Sequence, residues 1–328
     1  MSQAAPPLRI GTRGSALALW QAREVARRLA AAGAAAEIVV IRTTGDRLGE
    51  APLAEAGGKR LFVKEIEDAL LAGTIDVAVH STKDLPVVLP DGLVMGAFLP
   101  RATPFDAIVL PARHATAPKT LAGVSAALGP TPRLGTSSIR RITQLHRLLP
   151  GATFEAIRGN VDTRLKKLDV APEAGGLYDA IVLACAGLER VGFGDRISLA
   201  LPITACVPAP GQGAVGVERR ADAPAALASL VASLDDVATR AEVAAERIVV
   251  EILEGGCQAP IGALARAQAD GTLELHAAVT SLDGDELRAV AFGTMDDPLA
   301  LGRKVGAQLL ADGAAELLAR SAVERGET

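Results

Sequence analysis

At 328 residues the chain is too long for a single core of usual size, which points to two or three domains. A net charge of −4 and an aromatic content of 2% exclude a general attraction to nucleic acid and leave little for bases to stack on. No run reaches the ~18 uninterrupted apolar residues of a spanning helix, Met1 to Pro7 has no hydrophobic signal core, and three cysteines make no disulfide framework, so a cytoplasmic protein without membrane partners is expected.

Short apolar runs alternate with helical patterns from the start. Leu8 to Gly11 reads as a strand, Ala16 to Ala32 as an amphipathic helix stopped by Gly33, Glu37 to Arg42 as a strand, Phe62 to Leu71 as a helix and Ile75 to His80 as a strand. After Pro100 to Pro104 the same grammar returns: strands at Ala107 to Leu110, Arg133 to Gly135, Thr153 to Ile157 and Tyr178 to Ala184, with helices at Ser138 to Leu149 and Val161 to Leu168. This is βαβ alternation, and it predicts sheets with helices on their faces. A proline-rich stretch, Leu201 to Pro210, leads into a strand over Gly213 to Glu218. From Ala221 an alanine-rich helical region, strands at Ala263 to Ala267, Leu273 to Thr280 and Arg288 to Phe292, and a helix from Pro298 to Leu310 form a third, α+β domain.

Three segments place anion-binding groups where strands end or helices begin. In Ile10 to Ser15 a strand runs through a glycine-containing turn into a helix, so free N–H groups, Arg13 and Ser15 can converge on an anion. In Gly135 to Arg141 the hydroxyls of Thr136 and Ser138 stand at cap positions, with Arg140 and Arg141 in the first helical turn. Cations there oppose the helix dipole, which favours a bound anion facing them, a solvated helix end being the alternative. In Arg158 to Arg164, Asn160 can cap a helix between two arginines. Arginine outnumbers lysine 27 to 7, an excess that coding bias also produces; the placement is what matters. Several guanidinium forks around one cleft suit a polycarboxylate, and phosphate would serve as well. At the end of an apolar strand, Val79 to Pro86 carries Lys83 and Asp84, where α/β sheets bind ligands; an ion pair between the two is the plainer alternative. His80 reads as a packed strand-end residue, and no cluster has metal-ligand spacing.

Cys257 sits in Leu253 to Gly262, on a glycine-rich turn after a helix-like run. It is either a small residue beside a helix end or a thiol able to carry something covalently. Cys185 and Cys206, in apolar strand-like runs, are expected to be buried.

With these segments in order, the chain resembles the porphobilinogen deaminases, also called hydroxymethylbilane synthases. The motifs are Arg9 to Gln21 (RIGTRGSALALWQ), Gly57 to Glu65 (GGKRLFVKE), Val79 to Pro86 (VHSTKDLP), Gly135 to Arg141 (GTSSIRR), Arg158 to Leu165 (RGNVDTRL), Ala184 to Arg190, Pro208 to Gly216 (PAPGQGAVG) and Glu254 to Pro260 (EGGCQAP). The resemblance implies two α/β domains like the lobes of periplasmic binding proteins, over 1–102 with 203–221 and over 103–202, and a smaller α+β domain over 222–328. It implies a transferase that joins four porphobilinogen molecules head to tail, with loss of ammonia, into hydroxymethylbilane. Growth would start from a dipyrromethane cofactor held by a thioether to Cys257. By motif position Asp84 would be catalytic; Ser15, Lys83, Asp84, Thr136, Ser138, Arg140 and Arg141 would hold the cofactor; Arg13, Gln21, Arg158, Arg164 and Arg190 would bind substrate or the growing chain. A monomer is expected. Glu55 stands in the 48–60 loop where some relatives carry lysine, so the charge contacts of that loop would differ. Two rivals share parts of this pattern: a binding protein of the same lobes, which has no use for Cys257, and a cysteine-nucleophile enzyme, for which no activating His motif is present.

Overall fold

The computed structural model describes residues 6–47, 62–114, 116, 119–255 and 259–324. The chain forms two compact units, Met1–Arg101 with Ala214–Arg240, and Ala102–Gly213 with Ala241–Thr328. In chain order the first passage contains β1 (Leu8–Thr12), α1 (Ala16–Ala31), β2 (Ala36–Val40), α2 (Thr44–Arg47), α3 (Lys64–Leu71), β3 (Val77–Ser81) and β4 (Leu93–Phe98). The second contains β5 (Asp106–Val109), α4 (Leu121–Leu128), β6 (Arg133–Gly135), α5 (Ile139–Leu148), β7 (Thr153–Glu155), α6 (Val161–Leu168), β8 (Ala180–Ala184), α7 (Cys185–Arg190) and β9 (Leu199–Ala200). Then come β10 (Val215–Arg220), α8 (Ala225–Ala232), α9 (Val237–Ile252), β11 (Ile261–Ala267), β12 (Thr272–Thr280), β13 (Glu286–Thr294), α10 (Pro298–Ala311) and α11 (Ala314–Glu324).

Local chemistry sets α1. Ser15 is its N-cap, accepting from the Ala18 N–H at 3.3 Å. Ala18, Ala22, Val25 and Leu29 recur at helical spacing on its buried side. Ala22, Val25 and Leu29 pack on Val77, Val79, Val215 and Val217 of the sheet. Gly33, at φ 86°, then turns the chain into β2.

The two five-stranded sheets share one arrangement. In the first unit the order is β2-β1-β3-β10-β4, with β10 antiparallel to both neighbours; in the second it is β7-β6-β8-β5-β9, with β5 the antiparallel member. These are the two α/β lobes that the repeated βαβ pattern predicts. In each sheet the antiparallel strand follows directly on a passage of the chain between units, at Arg101–Ala102 and Gly213–Ala214. The remaining strands run together, so their carboxyl ends collect on one edge of each sheet.

The third sheet is an antiparallel meander, β11-β12-β13, within the second unit. Its inner face is closed by Val249 from α9 and Leu253 just after it, by Leu301, Val305 and Leu309 from α10 and by Leu317 from α11. Among the described residues no helix is long and apolar enough to cross a membrane.

The passage at Gly213 is tight. Gly213 has φ 88°, and a Cβ there would lie 2.5 Å from the carbonyl oxygen of Ala102, whose own N–H bonds the Gly213 carbonyl at 3.2 Å. Gly213→Ala therefore meets both a left-handed backbone and a rigid neighbour, and it is expected to destabilise the protein by at least about 2 kcal/mol, read from denaturant unfolding. An unfolding midpoint equal to the wild type would contradict this.

Some elements differ from the sequence reading. α2, β4, α4, α7, β9 and α11 have no counterpart in it, and Cys185 opens helix α7 rather than lying in a strand. Cys206 lies in an irregular segment, where Pro202, Pro208 and Pro210 supply no N–H for a ladder and the Cys206 N–H closes a turn on the Pro202 carbonyl at 3.0 Å.

Candidate active site

In the first unit the chemistry gathers beyond β1 and β3. A cavity is lined by Arg13, Ser15, Gln21, Ser81 and Asp84, with Phe62 and Val63 as apolar wall. Gln21 is 2% exposed and donates through Nε2 to Ser81 Oγ at 2.8 Å, which ties α1 to the end of β3. Past Ser81 the chain tightens into a 3-10 turn, Thr82–Asp84, so that Lys83 and Asp84 leave the sheet at its carboxyl edge. Lys83 and Asp84 are half-buried. Among the described residues nothing makes a hydrogen bond or ion pair with the Asp84 carboxylate, so the Lys83–Asp84 pair considered from sequence is not formed.

Arg13 already has an acid. Its Nη2 reaches Asp46 Oδ1 at 2.5 Å and its Nε the same oxygen at 3.2 Å, while its guanidinium carbon stands 4.4 Å above the Phe62 ring. Burial pulls the Asp46 carboxyl upward, but the Arg13 guanidinium wins and holds it below its ordinary value. His80, 5% exposed and also lining the cavity, is the packed strand-end residue expected from sequence, and its Nε2 lies 3.1 Å from Glu218 Oε2 on the adjoining strand β10.

In the second unit the candidates again lie beyond strand ends. Thr136 and Ser138 follow β6; Thr136 Oγ1 accepts from the Ser138 N–H at 3.2 Å, and Ser138 is the N-cap of α5 without a side-chain cap bond. Arg158 follows β7 and is half-buried. Arg164 on α6 donates from Nε to the Gly159 carbonyl at 2.7 Å, and Asn160, the N-cap, makes no side-chain cap bond. Arg190, on the helix after β8, donates from Nη2 to the Gly213 carbonyl at 2.7 Å and so grips the passage between units.

Arg140 and Arg141 point inward, with exposures of 4% and 6%, and the carboxylate they face belongs to the chain itself. Asp106, fully buried at the head of β5, takes Arg140 Nη1 on Oδ2 at 2.7 Å and Arg141 Nε and Nη2 on Oδ1 at 3.0 and 2.7 Å. Burial alone would raise this carboxyl, but the two guanidiniums and Gln212 outweigh it and keep it far below the usual carboxylate range. Sequence reasoning missed Asp106. The available signal was a lone acid at the head of an apolar strand, in a chain that puts two adjacent arginines on an inward helix face.

Cys185 and Cys206 are both fully buried, as expected, and burial pushes each thiol up to about 12. They are inert at neutral pH. Cys257, and Glu55 with its loop, lie outside the described residues. The approach to Cys257 is described as far as Gly255: α9 ends at Ile252, Gly255 N–H bonds the Val250 carbonyl at 3.0 Å, and Glu254 holds the left-handed turn at φ 48°. Among the described residues of this turn the left-handed one is thus Glu254 and not Gly255.

Residues 8–228 match the family model described as porphobilinogen deaminase, dipyromethane cofactor binding domain, and residues 240–311 match porphobilinogen deaminase, C-terminal domain. The chain belongs to the porphobilinogen deaminase family. A porphobilinogen deaminase of Syntrophobacter fumaroxidans is 46% identical over 314 residues, covering 95% of this chain and 96% of the relative. One of Moorella thermoacetica is 45% identical over 323 residues and covers 98% of each. Among solved structures, an ancestral cationic amino acid solute binding protein superposes with TM-score 0.40 at 16% identity, over 70% of this chain and 87% of its own. The activity is that of the family: a transferase of tetrapyrrole biosynthesis that polymerises porphobilinogen into hydroxymethylbilane with release of ammonia, using a dipyrromethane cofactor.

Proposed function

We propose that Asp84 is the catalytic carboxylate of this transferase and Cys257 the thioether anchor of its dipyrromethane. In this reading Ser15, Lys83, Asp84, Thr136, Ser138, Arg140 and Arg141 hold the cofactor, and Arg13, Gln21, Arg158, Arg164 and Arg190 receive porphobilinogen or the lengthening chain. The observation that carries it is the Asp84 carboxylate, set on a cavity beyond a central strand with no described residue bonded to it. A buried structural acid is normally saturated with partners, as Asp106 is; an acid held ready for charge that appears during reaction is not. Loss of ammonia from porphobilinogen leaves a cation at the reacting pyrrole, and a fixed carboxylate stabilises it without reorganisation.

The residues present fit a cofactor that bears acetate and propionate groups. Arg140, Arg141 and Asp106 bring two positive charges against one negative, nearly out of water, and a ligand carboxylate balances the remainder. When bound, the dipyrromethane supplies the pyrrole carbon to which the first substrate unit is joined. The protein supplies forks that orient the carboxylates and a carboxylate that meets the cation. The division into 1–102 with 203–221, 103–202 and 222–328, and action as a cytoplasmic monomer, belong to the same proposal; the three separate sheets support the division.

One mass spectrum tests the set. Mixed with porphobilinogen, the wild-type chain is expected to show a ladder of added substrate units. In Arg158→Leu one ligand carboxylate loses its fork, so early rungs are expected to accumulate and turnover to fall about tenfold or more. A ladder and a turnover equal to the wild type would remove Arg158 from the substrate set.

A further inference from the structure

The Asp106 carboxylate gives two neighbouring arginines different roles. Arg141 spends its side-on edge, Nε and Nη2, on Asp106 Oδ1 at 3.0 and 2.7 Å and sends Nη1 to the Val182 carbonyl at 2.8 Å. Arg140 gives Asp106 Oδ2 a single nitrogen, Nη1, at 2.7 Å, and the same nitrogen also serves the Val207 carbonyl at 2.7 Å. The Nε and Nη2 edge of Arg140 makes no bond with any described residue. That edge is the bidentate one, whose two parallel N–H groups match the two oxygens of a carboxylate.

Asp106 is itself held from a second direction. Gln212, 1% exposed and part of the Pro208 to Gly216 motif, donates from Nε2 to Asp106 Oδ1 at 3.0 Å and to the Pro104 carbonyl at 2.7 Å. Cys206 Sγ lies 3.5 Å from Asp106 Oδ2. Both carboxylate oxygens are therefore saturated by the chain, and Asp106 has no capacity left for a ligand. The motif also ties the arginine-bearing helix to the helix that leads toward Cys257: Gln144 on α5 donates to the Val207 carbonyl at 3.1 Å and accepts from its N–H at 2.7 Å, while the Gly211 N–H bonds Glu246 on α9 at 2.6 Å.

We infer that Asp106, braced by Gln212, is a positioning residue that turns the side-on edge of Arg140 toward a cofactor carboxylate and leaves the arginine pair with the single positive charge that this carboxylate balances. The inference rests on the proposed placement of the dipyrromethane at Arg140 and Arg141. The glutamine of the Pro208 to Gly216 motif then holds the acid that aims the arginine.

The test is cofactor loading, read by intact mass on freshly purified chains and again after incubation with porphobilinogen, alongside thermal unfolding. In Asp106→Asn both guanidiniums lose their shared counter-ion, and the folded protein is expected to carry the two-pyrrole adduct on less than a tenth of its molecules. Gln212→Met preserves shape while removing the brace, and is expected to slow conversion to the adduct several-fold at a near wild-type unfolding temperature. A purely structural Asp106 would lower the unfolding temperature and leave folded molecules fully loaded, and that result overturns the inference. Should Asp106→Asn fail to fold, Gln212→Met decides: loading at the wild-type rate overturns it. A wild-type chain without adduct would remove the cofactor reading and this inference with it, whereas a loaded wild type beside equally loaded variants would remove the inference alone.

Discussion

Cys257→Ser is expected to yield a folded chain of the bare sequence mass with no hydroxymethylbilane synthesis, while the wild type is heavier by two linked pyrrole units that map to Cys257. The argument is one of competing nucleophiles. A serine hydroxyl without an activating base is far weaker than a thiolate at neutral pH. The other two thiols offer no substitute, because Cys185 and Cys206 are fully buried and burial pushes each up to about 12. Cys206 is further enclosed by Asp106 and Arg140, at 3.5 and 3.4 Å. The measurement is intact mass followed by peptide mapping. An active wild type of bare mass, or an adduct on Cys185 or Cys206, would end the assignment.

Asp84→Ala is expected to lower turnover by about a hundredfold to a thousandfold, the size of a lost preorganised electrostatic group, and to leave stability within about 0.5 kcal/mol of the wild type. Both halves follow from the same geometry. The carboxylate bonds no described residue, so among the described residues its removal breaks no ion pair; it lines the cavity, so its charge is missing when a cation forms. Asp84→Glu keeps the charge and moves it by one methylene, and a small fraction of activity should remain. Turnover by steady-state assay and stability by denaturant unfolding separate the two effects. Near-normal turnover in Asp84→Ala, or a large loss of stability, would contradict the role.

The two predictions differ in how far the fold enters them. Cys257 stands out by its local sequence, a thiol on a glycine-rich turn, set against two cysteines in apolar runs. Asp84 is marked by its place after an apolar strand, and the 3-10 turn at Thr82–Asp84 carries it off the sheet edge. Strands and helices with strong periodicity, such as α1 and β12, are legible because side-chain spacing alone reports which face is buried. β4 is not: Leu93–Phe98 carries Gly96 and Met95 instead of a β-branched run, and it becomes a strand by pairing with β10, more than a hundred residues away in sequence.

The sequence by itself determined the family, through motifs that occur in order along almost the whole chain, and the positions of the strand ends that carry them, because local hydrogen bonding and periodicity need no distant partner. Tertiary structure alone decided which charges meet. Arg140 and Arg141 read as a pair facing an outside anion, yet their first acid is Asp106, 34 residues before Arg140, held by Gln212 from a segment 106 residues later. Coulomb attraction acts through space and buried charge is costly unless matched, so the partners of an arginine are set by which strands pack side by side rather than by its neighbours in the chain.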